Sequence, residues 1–475
     1  MDTKKLRQKI LDLAIRGKLV PQDPNDEPAS VLLERIKAEK ERLIKEGKIK
    51  RSKKTTKTSD TPHYENVPFE IPENWVWTDI ENICSEIGSG STPRGSNYSS
   101  KGIPFFRSQN IYNNGLVYED IKFISEDIHQ TMIGTEVLPN DLLLNITGGS
   151  LGRCAIVPAN FQRGNVSQHV CIMRPILIVS EYFHAFVLSS SFSKSIKITG
   201  SGREGLPKYN LERIFFPLPP LTEQYRIVSE IEHWFALINQ IEQDKLDLQE
   251  AIKQAKNKIL NIAIHGKLVP QEPSDEPASE LLKRINPKAE ITCDNAHYTF
   301  KVPTGWIMCK LGEICALENG YAFSSDDYKQ QGIPLVRISN ISDNTINLNG
   351  CVFVKKEVDD RFIVKNGDLL IALSGATTGK MGVYENENIA YLNQRVGNLK
   401  IKKNVLLPEY RNYYMFSQIE KILKLAYGGA QPNISSKIIC ELQFLLPPLM
   451  EQKRIVQKIE ELYSYFDNIQ KALEA

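Results

Sequence analysis

The chain has 475 residues, of which 41% are hydrophobic and 24% are charged, with a formal net charge of +2. This composition is typical of a globular protein with two or three domains of roughly 150 residues each, and it argues against an intrinsically disordered chain. No apolar run approaches the ~18 residues of a membrane span, and the first residues lack the apolar core of a signal peptide, so we expect a cytoplasmic protein without membrane contact. Near-neutral charge restricts any nucleic-acid binding to local basic patches.

The chain begins with a helical stretch and a segment that occurs twice. Residues 18–30 read KLVPQDPNDEPAS and residues 267–279 read KLVPQEPSDEPAS, so the two copies are 249 positions apart. Residues 45–57 (KEGKIKRSKKTTK) are basic and lack apolar periodicity. They predict an exposed linker, with a non-specific phosphate-binding arm as the alternative.

Two divergent globular segments follow the two copies of this repeat. Residues 71–84 (IPENWVWTDIENIC) match 302–315 (VPTGWIMCKLGEIC), and GIPFFRSQNI at 102–111 matches GIPLVRISNI at 332–341. Short apolar runs punctuated by Gly, at 141–147 and 368–374, predict a mixed sheet with some helices in each segment. The eight scattered cysteines have no CxxC pair or zinc-like spacing, so we expect buried thiols without disulfides or metal.

Each globular segment ends in a motif that opens a long helix. Residues 218–228 read LPPLTEQYRIV and 446–456 read LPPLMEQKRIV, a shift of 228. We predict a central helix from Thr222, as N-cap, to about His265, followed by a stop at Gly266, with a length of roughly 65 Å.

Apolar residues recur at spacings of three and four along this helix, with Lys245 as the polar exception. The predicted seam comprises Ile231, Trp234, Ile238, Ile241, Lys245, Leu248, Ile252, Ala255, Ile259 and Ile262. Matching positions in the C-terminal and N-terminal helices are Ile455, Ile459, Leu462, Phe466, Ile469, Leu6, Ile10 and Leu13. These stripes predict an antiparallel coiled coil; the alternative is amphipathic helices lying on the globular domains.

The two shifts also relate the chain ends. Met1 corresponds to position 250 by the first shift, and Ala475 corresponds to position 247 by the second. Joining the ends would therefore rebuild a second copy of the central helix almost completely. The chain is predicted to be a circular repeat with pseudo-twofold symmetry.

No motif for catalysis recurs in both copies. Residues 374–380 (SGATTGK) are too short for a P-loop, and Met381 stands where Ser or Thr would bind magnesium. The equivalent residues 147–153 end in Arg153 as 374–380 end in Lys380, so this turn could contact phosphate or be a plain surface turn. Methyltransferase, dinucleotide and Ser/His/Asp signatures are also missing from the sequence, which predicts a non-catalytic chain without a cofactor of its own.

Polar, Gly-rich loops offer candidate DNA contacts at 88–98, 200–208, 319–328 and 428–433. Arg can pair with guanine, and Gln or Asn with adenine, in the major groove, so Arg203 opposite Gln431 would give the two domains different preferences. As plain solvent loops these residues need no such role. The candidates are Arg94, Asn97, Tyr98, Arg107, Asn110, Arg153, Arg203, Lys208, Tyr328, Arg337, Asn340, Lys380, Gln431 and Asn433.

Together these features resemble the specificity subunit of type I restriction-modification systems, usually called HsdS. The resemblance covers essentially the whole chain and rests on the two LPPL-x-EQ segments, the AIRGKLVPQ and AIHGKLVPQ elements, and the circular repeat. It implies a mixed α/β fold in which two target-recognition domains each read half of a bipartite site in double-stranded DNA, with the helices setting the gap. It also implies two docked methyltransferase subunits and further restriction/translocase subunits. S-adenosylmethionine, ATP and magnesium would then belong to those partners.

The resulting division assigns residues 63–220 and 297–448 to the two recognition domains. Residues 1–62, 221–296 and 449–475 form the helical repeat regions that flank them. Three alternatives stay open from the sequence: a specificity subunit of a methylation-only or related restriction system, a coiled-coil adaptor with two protein-binding heads, and a self-contained enzyme.

Overall fold

The computed structural model describes residues 2–49, 67–196, 205–285, 287, 302–342, 344–375, 377–426 and 433–474. The chain divides into two compact units, Met1–Asp244 and Lys245–Ala475, and the division falls inside the longest helix. Each unit therefore holds one globular domain and one part of that helix. The predicted five-segment boundaries stay predictions, and the basic linker lies largely outside the described residues.

The described residues of the first unit form mostly short helices and four small sheets. Its helices are α1 (Thr3–Ala14), α2 (Ala29–Lys45), α3 (Ile80–Ile83), α4 (Glu126–Thr131), α5 (Ser180–Val187), α6 (Ser190–Ser195), α7 (Lys208–Glu212) and the first part of α8 (Leu221–Ile264). Its strands are β1 (Val76–Asp79), β2 (Cys84–Ser89), β3 (Ile103–Phe106), β4 (Ile111–Tyr112), β5 (Gly115–Leu116), β6 (Lys122–Ile124), β7 (Glu136–Val137), β8 (Leu142–Asn145), β9 (Cys154–Ile156), β10 (Gly164–Val166), β11 (Val170–Pro175) and β12 (Phe215–Leu218). They form sheets in the orders β1-β12, β6-β3-β10-β7, β2-β11-β8-β9 and β4-β5.

The second unit repeats this plan with larger sheets. Its helices are the remainder of α8, α9 (Ala278–Ile285), α10 (Leu311–Ile314), α11 (Pro408–Ser417), α12 (Ile419–Ala426), α13 (Ser436–Cys440) and α14 (Leu449–Glu474). Its strands are β13 (Ile307–Lys310), β14 (Cys315–Asn319), β15 (Tyr328–Lys329), β16 (Ile333–Val336), β17 (Ile341–Ser342), β18 (Asn344–Ile346), β19 (Val352–Val354), β20 (Ile363–Val364), β21 (Leu369–Ala372), β22 (Met381–Val383), β23 (Ala390–Leu392), β24 (Val396–Ile401) and β25 (Gln443–Leu446). The sheet orders are β13-β25, β14-β24-β21-β22-β18-β17 and β15-β19-β16-β23-β20.

The predicted mixed α/β architecture is confirmed in both units. The two apolar runs singled out from the sequence form the central strands β8 and β21, whose residues are all buried. Five cysteine thiols are buried as predicted, at 84, 154, 171, 309 and 315. Cys351 and Cys440 are half-buried, and Cys293 lies outside the described residues.

The LPPL-x-EQ motif of the first unit forms a buried hydrogen-bond network at the start of α8. The carboxylate of Glu223 accepts hydrogen bonds from Trp75 Nε1 at 2.9 Å and from Gln22 Nε2 at 2.7 Å. The side chain of Gln224 accepts a bond from the backbone N–H of Val179 at 3.0 Å. The motif thereby fastens the KLVPQ segment and the globular domain to the helix.

The second unit builds the same network with equivalent residues. Glu451 accepts from Trp306 Nε1 at 2.8 Å and from Gln271 Nε2 at 3.1 Å, and Gln452 accepts from the backbone N–H of Leu407 at 2.9 Å. Burial raises the pKa of Glu451, as it raises the pKa of Glu223 in the first unit. The repeated sequence is therefore explained by repeated internal bonding.

Seven of the ten predicted seam residues of α8 are buried or half-buried, and three, Trp234, Ile241 and Leu248, are exposed. Ile231, Ile238 and Ile252 are buried, but Trp234 and Ile241 are 40% and 41% exposed. A heptad stripe of buried and half-buried residues comprises Ile231, Phe235, Ile238, Glu242, Lys245, Gln249, Ile252, Lys256, Ile259 and Ala263. Near its end Ala255, Leu260, Ile262 and Ile264 are also at least half-buried. Apolar spacing predicted Lys245 but not Phe235 and Ala263, nor the polar residues Glu242, Gln249 and Lys256.

Ion pairs explain why polar residues occupy this stripe. In the first unit Arg7 of α1 lies 3.0 Å from Glu242 and stacks over the ring of Phe235. In the second unit Lys256 lies 2.7 Å from Asp467 of α14. Long side chains bury their stems along the seam while their charged ends pair at its edge.

In each unit the partner helix runs antiparallel to α8, as predicted. The second unit shows this most directly: Tyr463 donates to the carbonyl of Lys256 at 3.2 Å, and Lys245 donates to the carbonyl of Leu473. The predicted partner positions are buried at Ile455, Ile459 and Ile10 and half-buried at Leu6, Leu13, Leu462 and Phe466. Ile469 is 43% exposed and was wrongly included in the seam.

The two ends of α8 differ in how well they were predicted. Helix α8 begins at Leu221, so the prediction of Thr222 as N-cap is wrong; its hydroxyl instead donates to Asp26. Gly266 ends the helix as predicted, with φ of 63°, a left-handed conformation that favours glycine.

Among the described residues no helix is long and apolar enough to cross a membrane.

Candidate nucleic-acid interface

A polar cleft of about 540 Å³ opens on the first globular domain. It brings together three of the predicted contact residues, Tyr98, Arg107 and Arg153, which are distant in sequence. Tyr98 follows the loop after β2, Arg107 follows β3, and Arg153 precedes β9. The remaining lining residues are Thr92, Ser108, Gln109, Tyr112, Ser150, Ser167, Gln168 and His169.

Arg107 is held in the cleft, but its guanidinium N–H groups do not all have hydrogen-bond partners within the described part of the chain. Its Nη2 donates to the carbonyl of Asp120 at 3.0 Å, while its buried Nε has no hydrogen-bond partner among the described residues. The equivalent Arg337 of the second domain has the same buried Nε without a partner in that part of the chain. The same arrangement in both copies makes the two arginines equivalent candidates for a ligand contact.

Arg153 is positioned by an aromatic ring. Its guanidinium carbon lies 4.8 Å from the ring centroid of Tyr112, a cation–π arrangement, and Tyr112 itself is 38% exposed. The equivalent Lys380 is exposed, and Ser342 takes the place of Tyr112 in the second domain. In that domain Arg337 lies over the ring of Tyr328, with 5.8 Å to the centroid.

Two of the four asparagines among the candidates, Asn110 and Asn340, have internal roles. The Asn110 amide donates to the carbonyls of Val117 and Glu119, at 3.0 and 3.2 Å, and accepts from the backbone N–H of Arg107. Asn340 repeats this arrangement, with a 2.9 Å bond to the carbonyl of Asn347. Both side chains are buried, so their prediction as base contacts is corrected: they shape the loop that carries the arginine.

The other predicted residues lie on exposed turns or outside the described residues. Arg94 and Asn97 are exposed beside a short 3-10 turn, and Lys208 begins α7 with an ion pair of 3.6 Å to Glu212. Asn433 is exposed beside the backbone bridge that it forms with Ser374. Arg203 and Gln431 fall outside the described residues, so their proposed pairing stays a prediction.

Sequence reasoning missed a two-residue turn in each domain. Gln168 and His169 line the cleft, and Gln394 and Arg395 occupy the same turn of the second domain. The signal was present as SQHV at 167–170 and NQRV at 393–396, which share Gln and Val. The match is short, with two shared letters in four, and so did not stand out from the divergent sequence around it.

The acidic and sulfur-containing residues suggest no metal centre in what the structure describes. No group of three His, Cys, Asp or Glu side chains among the described residues is arranged to hold a metal ion. Carboxylates that are buried serve internal bonds instead: Asp141, for example, receives two 2.8 Å bonds from Arg174. The exposed chemistry is therefore that of arginine, amide and hydroxyl groups, which bind phosphates and base edges.

Comparisons with known proteins agree with this arrangement. The family model described as the type I restriction modification DNA specificity domain matches residues 72–250 and 303–475. The chain is 31% identical over 539 residues to the EcoAI type I restriction enzyme specificity subunit of Escherichia coli, an alignment covering 97% of this chain and 88% of that protein.

Solved structures show the same fold. The HsdS subunit from Thermoanaerobacter tengcongensis aligns with a TM-score of 0.51 at 18% identity, over 85% of this chain and 93% of its own. A chain from a type I R-M system studied for complex assembly and conformational transition aligns with a TM-score of 0.56 at 19% identity, over 86% and 94%. With two family domains that span most of its length, the chain belongs to the family of type I restriction modification DNA specificity proteins.

Proposed function

We propose that this chain selects the DNA site of a type I restriction-modification complex. Each globular domain reads one half of a bipartite site in double-stranded DNA, and α8 with its partner helices sets the distance between the halves. Phosphate contacts position each domain, and side chains in its cleft distinguish bases. The family membership and the presence of two recognition domains support this assignment.

The observation that carries the proposal is the matched pair Arg107 and Arg337. Each directly follows a four-residue strand of its domain, β3 or β16, and each has a buried Nε without a partner among the described residues. Arg107 lines the cleft, and Arg337 lies over the ring of Tyr328. Guanidinium groups form bidentate bonds with guanine or with phosphate. Two equivalent and incompletely bonded arginines are what a protein with two DNA half-sites requires.

The chain acts without catalysis of its own in this proposal. Methyltransferase subunits, two of them by the twofold repeat, dock on the helical regions, and restriction/translocase subunits complete the complex. S-adenosylmethionine, ATP and magnesium are bound by those partners. The exposed apolar residues Trp234, Leu237, Ile241 and Leu248 on α8 suit protein docking, which supports this assignment of the helices.

The test is to express the chain with the methyltransferase subunit of its own system and map adenine methylation by long-read sequencing. We expect a split motif of two short halves with a fixed gap. Arg107→Ala should relax one half and Arg337→Ala the other, whereas Arg163→Ala should change neither, because Arg163 is paired with Glu126 at 2.8 Å.

A stable complex that adds no methylation would instead favour a coiled-coil adaptor with two protein-binding heads. S-adenosylmethionine binding or methyl transfer by the isolated chain would contradict its non-catalytic assignment. Cleavage assays with the complete complex then separate a restricting system from a methylation-only system.

A further inference from the structure

The turn between β10 and β11 presents two side chains on a rigid backbone. The N–H of Ser167 donates to the carbonyl of Phe106 at 2.9 Å, and the N–H of Val170 closes the turn on Ser167 at 3.0 Å. The carbonyl of His169 accepts from Ile146 at 3.0 Å. Gln168 and His169 are thus fixed at the mouth of the cleft.

The second domain builds the same turn between β23 and β24. Asn393 donates to the carbonyl of Val336 at 3.1 Å, and Val396 donates to the carbonyl of Asn393 at 2.8 Å. The carbonyl of Arg395 accepts from Leu373 at 2.9 Å. The backbone bonds match one for one, so Gln394 corresponds to Gln168 and Arg395 to His169.

A glycine packs against this turn in both domains. The N–H of Gly90 donates to Val170 at 2.9 Å, and the N–H of Gly320 donates to Val396 at 3.1 Å. A Cβ atom at either glycine would strike the backbone of the turn, at Val166 or Leu392. Each Gly-rich loop therefore supports the turn instead of reading bases at that point.

The amide of Gln168 is oriented but keeps bonding capacity. Its Oε1 accepts from the Thr92 hydroxyl, and its Nε2 lies 3.2 Å from Nε2 of His169, whose Nδ1 is 2.8 Å from the hydroxyl of Thr147. An amide oxygen has two lone pairs and an amide nitrogen has two hydrogens. One acceptor site and one donor site therefore remain, which is the pair that adenine N6 and N7 require.

We propose that Gln168 and Gln394 are specificity-determining residues that each read an A·T pair at the equivalent position of the two half-sites. The residues that follow them, His169 and Arg395, differ, so the two half-sites should differ beside the A·T pair. Arg395 is exposed and reads a guanine beside that pair, while His169, held by Thr147, is a positioning residue for Gln168. This inference rests on the proposed function and extends it to named bases.

The experiment uses the whole complex and methylation mapping, with site preference measured on a library in which each motif position is varied. Gln168→Ala and Gln394→Ala should each reduce discrimination at one A·T pair, by about 5- to 150-fold, as expected for one lost bidentate contact. Each should leave the other half-site unchanged. His169→Ala should weaken the same position as Gln168→Ala, to a smaller extent.

Replacing Arg395 by the histidine of the first domain tests the role of the residue beside Gln394. Arg395→His should abolish a guanine preference beside the A·T pair in the second half-site only. Gln162→Ala is the matched control, because this exposed glutamine lies in the first domain and lines a different cleft. Thermal unfolding of each variant shows whether the surface substitution leaves the fold intact.

The outcomes distinguish the base-reading role of the two glutamines from the proposed function of the chain. If the unaltered complex methylates a split motif but the Gln variants keep every base preference, or lose one at a G·C pair, the inference is overturned and the proposed function stands. If the unaltered complex methylates no split motif, both are overturned.

Discussion

The most informative residues outside the cleft are the buried glutamates of the two LPPL-x-EQ motifs. Glu451 is 1% exposed, and its two carboxylate oxygens are bonded to Trp306 and Gln271. Burial is the leading cause that raises its pKa above the ordinary value of 4.5. The folded state therefore binds a proton more readily than the unfolded chain, so this group's contribution to stability is largest at low pH and is lost as the pH rises through its raised pKa.

We predict that Glu451→Gln removes this pH dependence. The amide loses one of the two accepted hydrogen bonds, a cost that is independent of pH, but it cannot ionise. The free energy of unfolding of the variant relative to the unaltered protein should therefore increase as the pH rises from the ordinary value of 4.5 through the raised pKa of Glu451. Urea unfolding at several pH values measures this difference. A profile that stays flat for Glu451→Gln would refute the assignment.

At the same scale, Arg153 and Lys380 are predicted to contact phosphate. Arg153→Ala and Lys380→Ala should each weaken DNA binding by the complex and reduce the slope of log K against log salt by about 1. The recognised motif should be unchanged, because a phosphate contact carries no base information. Binding isotherms over a salt series provide the measurement, with Arg163→Ala as control. A changed motif would instead make these residues base readers.

At the scale of elements, glycine ends α8. Gly266 has a left-handed φ, and a Cβ atom there would lie 2.5 Å from Cγ of Pro303. Gly266→Ala should lower the free energy of unfolding by at least about 1–2 kcal/mol, the cost of a left-handed conformation for an L-residue. Chemical denaturation tests this. Gly134→Ala has open space and no left-handed φ, so it should change stability by less than about 0.5 kcal/mol.

The corrected seam of α8 makes a second prediction about this helix. Ile238 is 1% exposed and Ile241 is 41% exposed, although both belonged to the seam predicted from sequence. Ile238→Ala should destabilise the first unit by about 2–5 kcal/mol, because it leaves a cavity in a packed core. Ile241→Ala should have little effect on unfolding but should weaken binding of a docked partner. Equal losses of stability in the two variants would show that Ile238 and Ile241 both belong to the packed seam, as the sequence predicted.

At the scale of the whole molecule, the repeats could be recognised in the sequence because repeated residues form the same internal hydrogen bonds in both units. The recurrent letters KLVPQ and LPPL-x-EQ are those that form the Glu–Trp–Gln network in both units. Such constraints act on residue identity, so they leave a direct trace in the sequence. The cleft of the first domain left a weaker trace, because its residues come from five separate segments of the chain and its repeated letters are few.

The two-copy organisation, the mixed α/β domains, the long helix and its glycine stop could all be predicted, because hydrophobic periodicity, turn residues and repeated motifs are local features of a chain. The positions of α8 that face a neighbour could not be predicted in full, since polar residues with paired charges replace apolar ones in the stripe. The burial of Asn110 and Asn340 and the exposure of Gln168 and Gln394 also emerge only in the folded protein. Burial is set by contacts between distant segments, and no local pattern encodes them.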